Sequence, residues 1–233
     1  MKQQRGATLI IVLIILIMIT VLGTMAIKSG ILGLKIATNS QVNVLLFENS
    51  DAALFNIENP DQVERQLALD GMFAYFNSSA NANDELVFCY RAAENFFFSL
   101  SKASAISIDS SGSVSSTTKM GVDGFCKANQ FAMGRSAVLS QVYLIKNSTA
   151  STPFSNAIKG TSMGQSNVPA TNNNIGAIVV SVLPSFSGAS TLEIESCFKQ
   201  RSSAVGACFG TLNIPYNIQH SDYVVGGQPK LVS

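Results

Sequence analysis

The 233-residue sequence is poor in the residues that build enzymatic and metal sites. It has one histidine, His220, and four cysteines with no C-x-x-C spacing, so a zinc site is not expected. Nucleophile-elbow, zinc-protease, phosphate-loop and dinucleotide-binding motifs are also missing. We therefore predict no enzymatic activity, and assign no catalytic residue, metal or cofactor.

Charge is scarce as well, and it is missing altogether from Gly6 to Ile27. As a helix rising ~1.5 Å per residue, residues 7–27 would span about 32 Å, close to the ~30 Å hydrocarbon core of a bilayer. A secretory signal has a shorter apolar region of about 7–15 residues, followed by a small-x-small cleavage site. The run is longer than that, and the following Lys28-Ser29-Gly30 offers no such site. The sequence therefore predicts a transmembrane helix at residues 7–27.

Basic residues flank this segment on both sides. Lys2, Arg5 and the amino terminus precede it, whereas Lys28 and Lys35 follow it. This distribution favours an N-terminus in the cytoplasm, with the rest of the chain on the other side of the membrane.

The cysteines all lie downstream of the apolar segment. An even number there fits disulfide bonds in an oxidising compartment such as the periplasm. Of the three possible pairings we favour nearest neighbours along the chain, Cys89 with Cys126 and Cys197 with Cys208. The alternative is four free, buried cysteines.

The downstream chain has no basic patch. All 14 acidic residues lie after Ile36, where the basic residues are fewer and form no cluster. A direct nucleic-acid partner is therefore not expected.

The helix is predicted to continue beyond the membrane segment, because no proline occurs between Lys28 and Glu58. Apolar residues recur there near helical spacing: Val42, Leu45, Leu46, Ala52, Ala53 and Ile57. One helix is thus predicted over residues 7–58, apolar all round at first and amphipathic later. Gly23, Gly30 and Gly33 mark the place where we expect it to bend or melt.

Residues 59–233 predict a single α+β domain. In "NPDQVERQLAL", Asn59 can cap a second helix that is predicted to run to about Phe76. Segments rich in branched and aromatic residues then predict strands: "ELVFCYR", "NFFFSLS", "SAISID", "AVLSQVYLIK", "GAIVVSVLP" and "TLEIESCFKQ". A hairpin turn is expected at 108–115 and a polar loop at 147–174. The predicted fold is a long N-terminal helix packed on an antiparallel sheet.

Three clusters have simple structural interpretations. Glu193 and Glu195 alternate with apolar residues, which indicates the solvated face of a strand. The three phenylalanines of "ENFFFSL" are expected to be core residues. "NANDE" (81–85) lacks the glycine and the distant glutamate of a calcium loop.

The first 55 residues carry a family resemblance. "QRGATLI" (4–10) and "SDAALF" (50–55) resemble the two ends of the N-terminal helix in minor pilins of the PilX type, within the type IV pilin-like superfamily. Asp51 stands where a glutamate would be expected. The resemblance implies a leader, residues 1–6, that prepilin peptidase removes after Gly6, and a mature chain that begins with a methylated Ala7.

The resemblance also implies a location and a set of partners. Residues 59–233 would form a pilin-like periplasmic domain, held by a single pass in the inner membrane until the chain enters a surface pilus. The implied partners are other minor pilins, the major pilin, inner-membrane lipid and a tip adhesin. Effects on adhesion or twitching motility would be indirect.

One position departs from the common pilin pattern. Major pilins place a glutamate fifth in the mature chain, where this sequence has Ile11. A carboxylate in an apolar helix is costly unless it meets a cation, and in pilins it is thought to pair with the amine of a neighbouring subunit. Because Ile11 has no carboxylate, this chain cannot pair with the amine of a subunit above it in the filament. Its own Ala7 amine can still pair with the glutamate of the next subunit. We therefore expect a position at or near the filament tip and a role in priming assembly.

The same resemblance assigns the apolar helix to assembly. Leu13 and Leu16 would pack against other pilin helices, and Gly23 would allow close approach. Two alternatives remain open: a tip pseudopilin of type II secretion, which usually has a larger inserted domain, and a membrane-anchored periplasmic enzyme or binding domain. An envelope protein with no assembly role is a third.

Overall fold

Six strands form one antiparallel sheet in the computed structural model of the chain, which describes residues 5–94, 96–133, 138–147 and 172–226. The strands are β1 (Glu85–Tyr90), β2 (Ser104–Ile108), β3 (Val114–Ser116), β4 (Leu139–Lys146), β5 (Asn172–Val182) and β6 (Tyr216–Gly226). Their spatial order is β3-β2-β1-β4-β5-β6, and every neighbouring pair is antiparallel. The predicted α+β class and antiparallel sheet are confirmed.

Helices account for most of the other described residues. They are α1 (Arg5–Glu58), α2 (Val63–Gln66), α3 (Met72–Asn77), α4 (Thr191–Phe198) and α5 (Ser202–Thr211). The chain divides into two compact units, one ending at Val44 and the other beginning at Leu45. The long predicted helix is therefore present as α1, and its last turns belong to the unit that contains the sheet.

The last turns of α1, from Leu45 onward, and the short α3 cover one face of the sheet. Ala53, Leu54 and Ile57 of α1 join one buried cluster with Leu86 and Phe88 of β1. These helical residues recur at intervals of one, three and four, which is the pattern of an apolar stripe. Burial of each large side chain contributes roughly 1.5–3 kcal/mol.

A chain of buried hydroxyl groups crosses this layer. Ser50 of α1 donates to Ser181 of β5 at 2.7 Å, and Ser181 lies 2.7 Å from the hydroxyl of Ser140 of β4. All three residues are buried, so each hydroxyl needs a partner within the protein. The three serines fix the position of the helix along the sheet more precisely than apolar contacts do.

The opposite face of the sheet is covered by α4 and α5. Val87 of β1 packs there with Ile194 and Phe198 of α4 and with Phe209 of α5. The Phe198 and Phe209 rings are 4.9 Å apart and meet edge to face. The central strands are therefore buried on both faces, which explains why their sequences are nearly continuous apolar runs.

The predicted strand "TLEIESCFKQ" is wrong, because these residues form α4. Ser190 accepts a hydrogen bond from the backbone N–H of Glu193, whose carboxylate accepts one from the N–H of Ser190. This reciprocal cap starts a helix, and hydrogen bonds from Ser190 hold the pKa of Glu193 below its usual value. The solvated strand face predicted for Glu193 and Glu195 is wrong as well. Glu195 accepts from the N–H of Ala128 at 3.1 Å.

The predicted strand "NFFFSLS" is also wrong. Phe96 adopts a positive φ of 58°, which a bulky residue rarely does outside turns, and a 3-10 turn follows at Leu100–Lys102. Phe97 and Phe98 are core residues as expected, whereas Phe96 is exposed.

The second helix is shorter and more broken than predicted. Asn59 does act as a cap, since its side chain accepts from the N–H of Asp61 at 3.0 Å. The chain then leaves helical geometry after Gln66 and re-enters it at Met72. Gly71 occupies the turn, where a Cβ would overlap the carbonyl oxygen of Gln66.

Two elements had no counterpart in the sequence analysis, namely α5 and β6. Most of the predicted loop at 147–174 lies outside the described residues. Its last three residues, 172–174, begin β5. The predicted hairpin turn is confirmed between β2 and β3, where Asp109 accepts from the N–H groups of Ser111 and Ser113.

We expect the contact between α1 and the sheet to contribute strongly to stability. Ile57 is 0% exposed and Phe55, on the same helix, is 73% exposed. Ile57→Ala should lower the free energy of unfolding by about 2–5 kcal/mol because it leaves a cavity, whereas Phe55→Ala should change it by less than about 0.5 kcal/mol. Chemical denaturation of the full chain in detergent micelles measures both values, and equal losses would contradict the packing described.

Candidate membrane and assembly segment

The first half of α1 is an apolar cylinder with nothing packed on it in its own unit. Every large apolar side chain from Leu9 to Ile36 is exposed. Among the described residues, α1 is the one helix long and apolar enough to cross a membrane, and none of its most apolar window is buried. A soluble chain rarely exposes a continuous apolar surface of this extent, so lipid or other protein has to cover it.

Two threonine side chains of this segment are satisfied within the helix. Thr20 donates to the carbonyl of Ile17 at 2.8 Å, and Thr24 donates to that of Val21 at 2.9 Å. In hydrocarbon no water is available to polar groups, so such internal hydrogen bonds are required there. The cylinder is thus apolar in effect as well as in composition.

The local melting predicted at the glycines is not present. Helical geometry continues through Gly23, Gly30 and Gly33. An added Cβ at any of the three would meet nothing within 4 Å. These positions therefore form a shallow, small-residue surface on which another helix could pack closely.

The residues assigned to processing and assembly all lie on α1. The helical backbone already includes Gly6 and Ala7. Ile11, Leu13 and Leu16 are exposed, with side chains that are each more than half accessible. The first carboxylate of the chain is Glu48, so no acidic group accompanies the apolar cylinder.

Both disulfides have the pairing that we favoured from the sequence. Cys89 of β1 is bonded to Cys126, 37 residues further on, and Cys197 of α4 is bonded to Cys208 of α5, 11 residues further on. Closing loops of these lengths stabilises a fold by roughly 3–4 kcal/mol each on the chain-entropy model. The first bond attaches a long connection to the sheet, and the second holds the two helices of one layer together.

The two adjacent buried carboxylates, Asp84 and Glu85, have structural partners. Asp84 accepts from the Tyr75 hydroxyl at 2.7 Å and from Lys119 Nζ at 2.6 Å. Burial, with the neighbouring carboxylate adding to it, raises the pKa of Tyr75. Glu85 accepts from the backbone N–H of Ser202 at 2.8 Å and so caps the first turn of α5 from the sheet below it.

The single histidine lies on the edge strand β6. His220 Nε2 is 3.5 Å from Asp222 Oδ1, and both side chains are more than half exposed. All four cysteines are in disulfides. Within the described ranges no three His, Cys, Asp or Glu side chains come together in a way that could hold a metal ion.

A sizeable cleft opens on the α5 face of the sheet. Its volume is about 650 Å³, and its walls include Ile145, Ile178 and Ile218 together with Arg201 and His220. Polar and charged side chains make up most of the remaining lining, so the cleft combines apolar and polar groups, as binding sites do. The cleft lies beside the edge strand β6, which had not been predicted.

Comparison with models of known protein families, with curated proteins and with solved structures finds no match.

A charge placed in the middle of the apolar cylinder tests whether it spans a membrane. Leu16 is near the centre of residues 7–27 and is 59% exposed. Leu16→Arg should cost about 2.5–3.5 kcal/mol of insertion free energy, so much of the protein should become extractable from membranes at alkaline pH. The matched control is Leu192→Arg, at an exposed apolar site on α4, which should stay in the membrane fraction. Equal retention of both variants would contradict a spanning helix.

Proposed function

We propose that this chain is a minor pilin of the PilX kind, stored in the inner membrane and then incorporated at or near the tip of a type IV pilus. Its fold would accordingly be pilin-like, with the sheet domain in the periplasm. Its action is non-covalent: the N-terminal helix exchanges lipid contacts for contacts with other pilin helices and thereby helps to start the filament.

The main support is the unpartnered apolar cylinder of α1. From Leu9 to Ile36 it offers apolar side chains all round and no ionised group other than Lys28 and Lys35. Lipid satisfies such a surface, and so does a bundle of similar helices, because both exclude water. A helix needs about 20 apolar residues to cross the hydrocarbon core, and the exposed run from Leu9 to Ile36 is longer than that.

The second support is the way that α1 joins the sheet domain. The same helix continues into a half whose residues Leu46, Ala53 and Ile57 are 0% exposed. These contacts, with the buried Ser50–Ser181 hydrogen bond, attach the last turns of α1 firmly to the sheet. The folded domain would therefore follow the helix out of the membrane when a filament is assembled.

The tip position rests on a missing charge. The chain has no carboxylate before Glu48, so it cannot offer the pairing partner that pilins present to the amine of a neighbouring subunit. Its own amine at Ala7 remains available after removal of the leader. A subunit that can form this ion pair with a neighbour on one side only suits the end of a filament.

Removal of the leader is the step that separates a pilin from an anchored protein. Gly6→Val should block cleavage by prepilin peptidase, because a branched side chain replaces the glycine at the cleavage site. The uncut chain should migrate more slowly in gel electrophoresis and stay in the inner membrane. Ser29→Val, outside the leader, serves as the control. If the Ser29→Val control also has the mass of the full 233 residues, the leader is not removed even when Gly6 is intact. A membrane-anchored binding domain that uses the cleft would then be the better account.

The tip position is tested at Ile11. Ile11→Glu restores the carboxylate, so the variant should be accepted inside the filament, and its ratio to major pilin in sheared pili should rise by about tenfold or more. Ile11→Leu, which adds no charge, should leave that ratio unchanged. If Ile11→Glu alters neither the ratio nor the number of pili, the tip argument fails while the assignment as a pilin stands.

A further inference from the structure

Strand β6 ends the sheet with a long and regular edge. All 11 of its residues, Tyr216–Gly226, pair with β5, and no register shift interrupts the pairing. The strand contains no proline or lysine, and Asp222 is its only acidic residue. Alternate backbone N–H and C=O groups of such a strand point away from the sheet, where another strand can bind them.

The opposite edge of the sheet is built differently. There β3 has only three residues, and its pairing with β2 shifts register between Ser107 and Ile108. Short edge strands and irregular pairing are devices by which proteins prevent edge-to-edge association. Among the residues that the structure describes, the sheet therefore protects one edge and leaves the other unprotected.

Apolar groups flank the unprotected edge on both faces of the sheet. On the α1 face, Phe47 is 54% exposed and its carbonyl accepts from Gln219 of β6 at 3.4 Å. On the α5 face, Ile218 is 42% exposed and borders the cleft. A strand added next to β6 would direct its side chains alternately toward these two surfaces and would remove both from water.

We propose that β6 is a docking strand for an extended segment of a partner polypeptide, which adds a seventh antiparallel strand to the sheet. The side chains on the cleft face of β6 define the complementary pattern. Apolar residues belong opposite Ile218 and Val224, a basic residue opposite Asp222, and an acidic one opposite His220. This docking needs no filament and is independent of the proposed function.

The sequence of β6 itself satisfies this pattern when it is paired antiparallel about Ser221. His220 then faces Asp222 of the other strand, and Ile218 faces Val224. A synthetic peptide with the sequence of residues 216–226, "YNIQHSDYVVG", is therefore a defined probe for the edge.

The test measures binding of this fluorescently labelled peptide to the full chain in detergent micelles by anisotropy. We expect saturable binding with one peptide per chain. Asp222→Lys in the protein should weaken it by about tenfold, and a peptide with His220→Asp should restore it. Leu192→Lys, on the exposed surface of α4, should bind like the unmodified chain. Circular dichroism checks that both variants fold.

Backbone pairing is tested with two further peptides that are N-methylated at alternate amides. Only one of the two sets of N–H groups can face β6, so one peptide should bind and the other should not. Absence of saturable binding, or equal binding of both methylated peptides, would overturn the proposal. Light scattering that shows a dimer of the full chain, dissociated by Asp222→Lys but not by Leu192→Lys, would also overturn it by assigning the edge to a second copy.

Discussion

The apolar surface between Leu9 and Ile36 has to be covered, and the organisation of the rest of the molecule depends on this requirement. Each exposed Leu, Ile, Val or Met side chain of the cylinder would gain roughly 1.5–3 kcal/mol from burial, and the described residues bury none of its most apolar window. The described part of the chain thus leaves this surface to be covered by lipid or by other chains. The sheet domain does not depend on whether lipid or protein covers the helix. Its two layers of helices and its two disulfides complete its own core.

The amphipathic half of α1 connects the exposed apolar cylinder to the sheet domain. In one unbroken helix the sequence changes from apolar on all sides to a single buried stripe that includes Leu46, Ala53 and Ile57. The change occurs where the partner of the helix changes from an external medium to the sheet of the same chain. Force applied along the helix would therefore reach a packed interface with buried hydrogen bonds.

Much of this fold could be predicted from the sequence where one physical signal dominated. The length of α1 followed from the absence of charge and proline, and β1, β2, β4 and β5 followed from branched and aromatic residues. The elements on the second face were not predicted for a specific reason. In "TLEIESCFKQ", alternation of Glu193 and Glu195 with apolar residues imitates a strand, whereas the reciprocal cap at Ser190 and the spacing of Ile194, Cys197 and Phe198 specify a helix. The cap signal is local and strong, and here it outweighs the alternation.

Of the candidate sites too, some could be predicted from the sequence and others could not. The apolar segment with Ile11, Leu13 and Leu16 could be recognised directly, because composition alone defines it. The edge at β6 could not, since an edge is a property of strand order, and the order depends on pairings between residues far apart in the chain. The capping role of Glu85 was hidden for the same reason, as its partner Ser202 lies more than a hundred positions away.

The central claim is that the apolar helix is covered first by lipid and later by sister helices, after the leader has been removed. Mass spectrometry of this chain, recovered both from inner membranes and from sheared surface filaments, tests it most directly. The account predicts a chain in the filament fraction that begins at Ala7 and carries a methyl group on its amine. A chain that begins at Met1 and is found in the membrane fraction alone would contradict it.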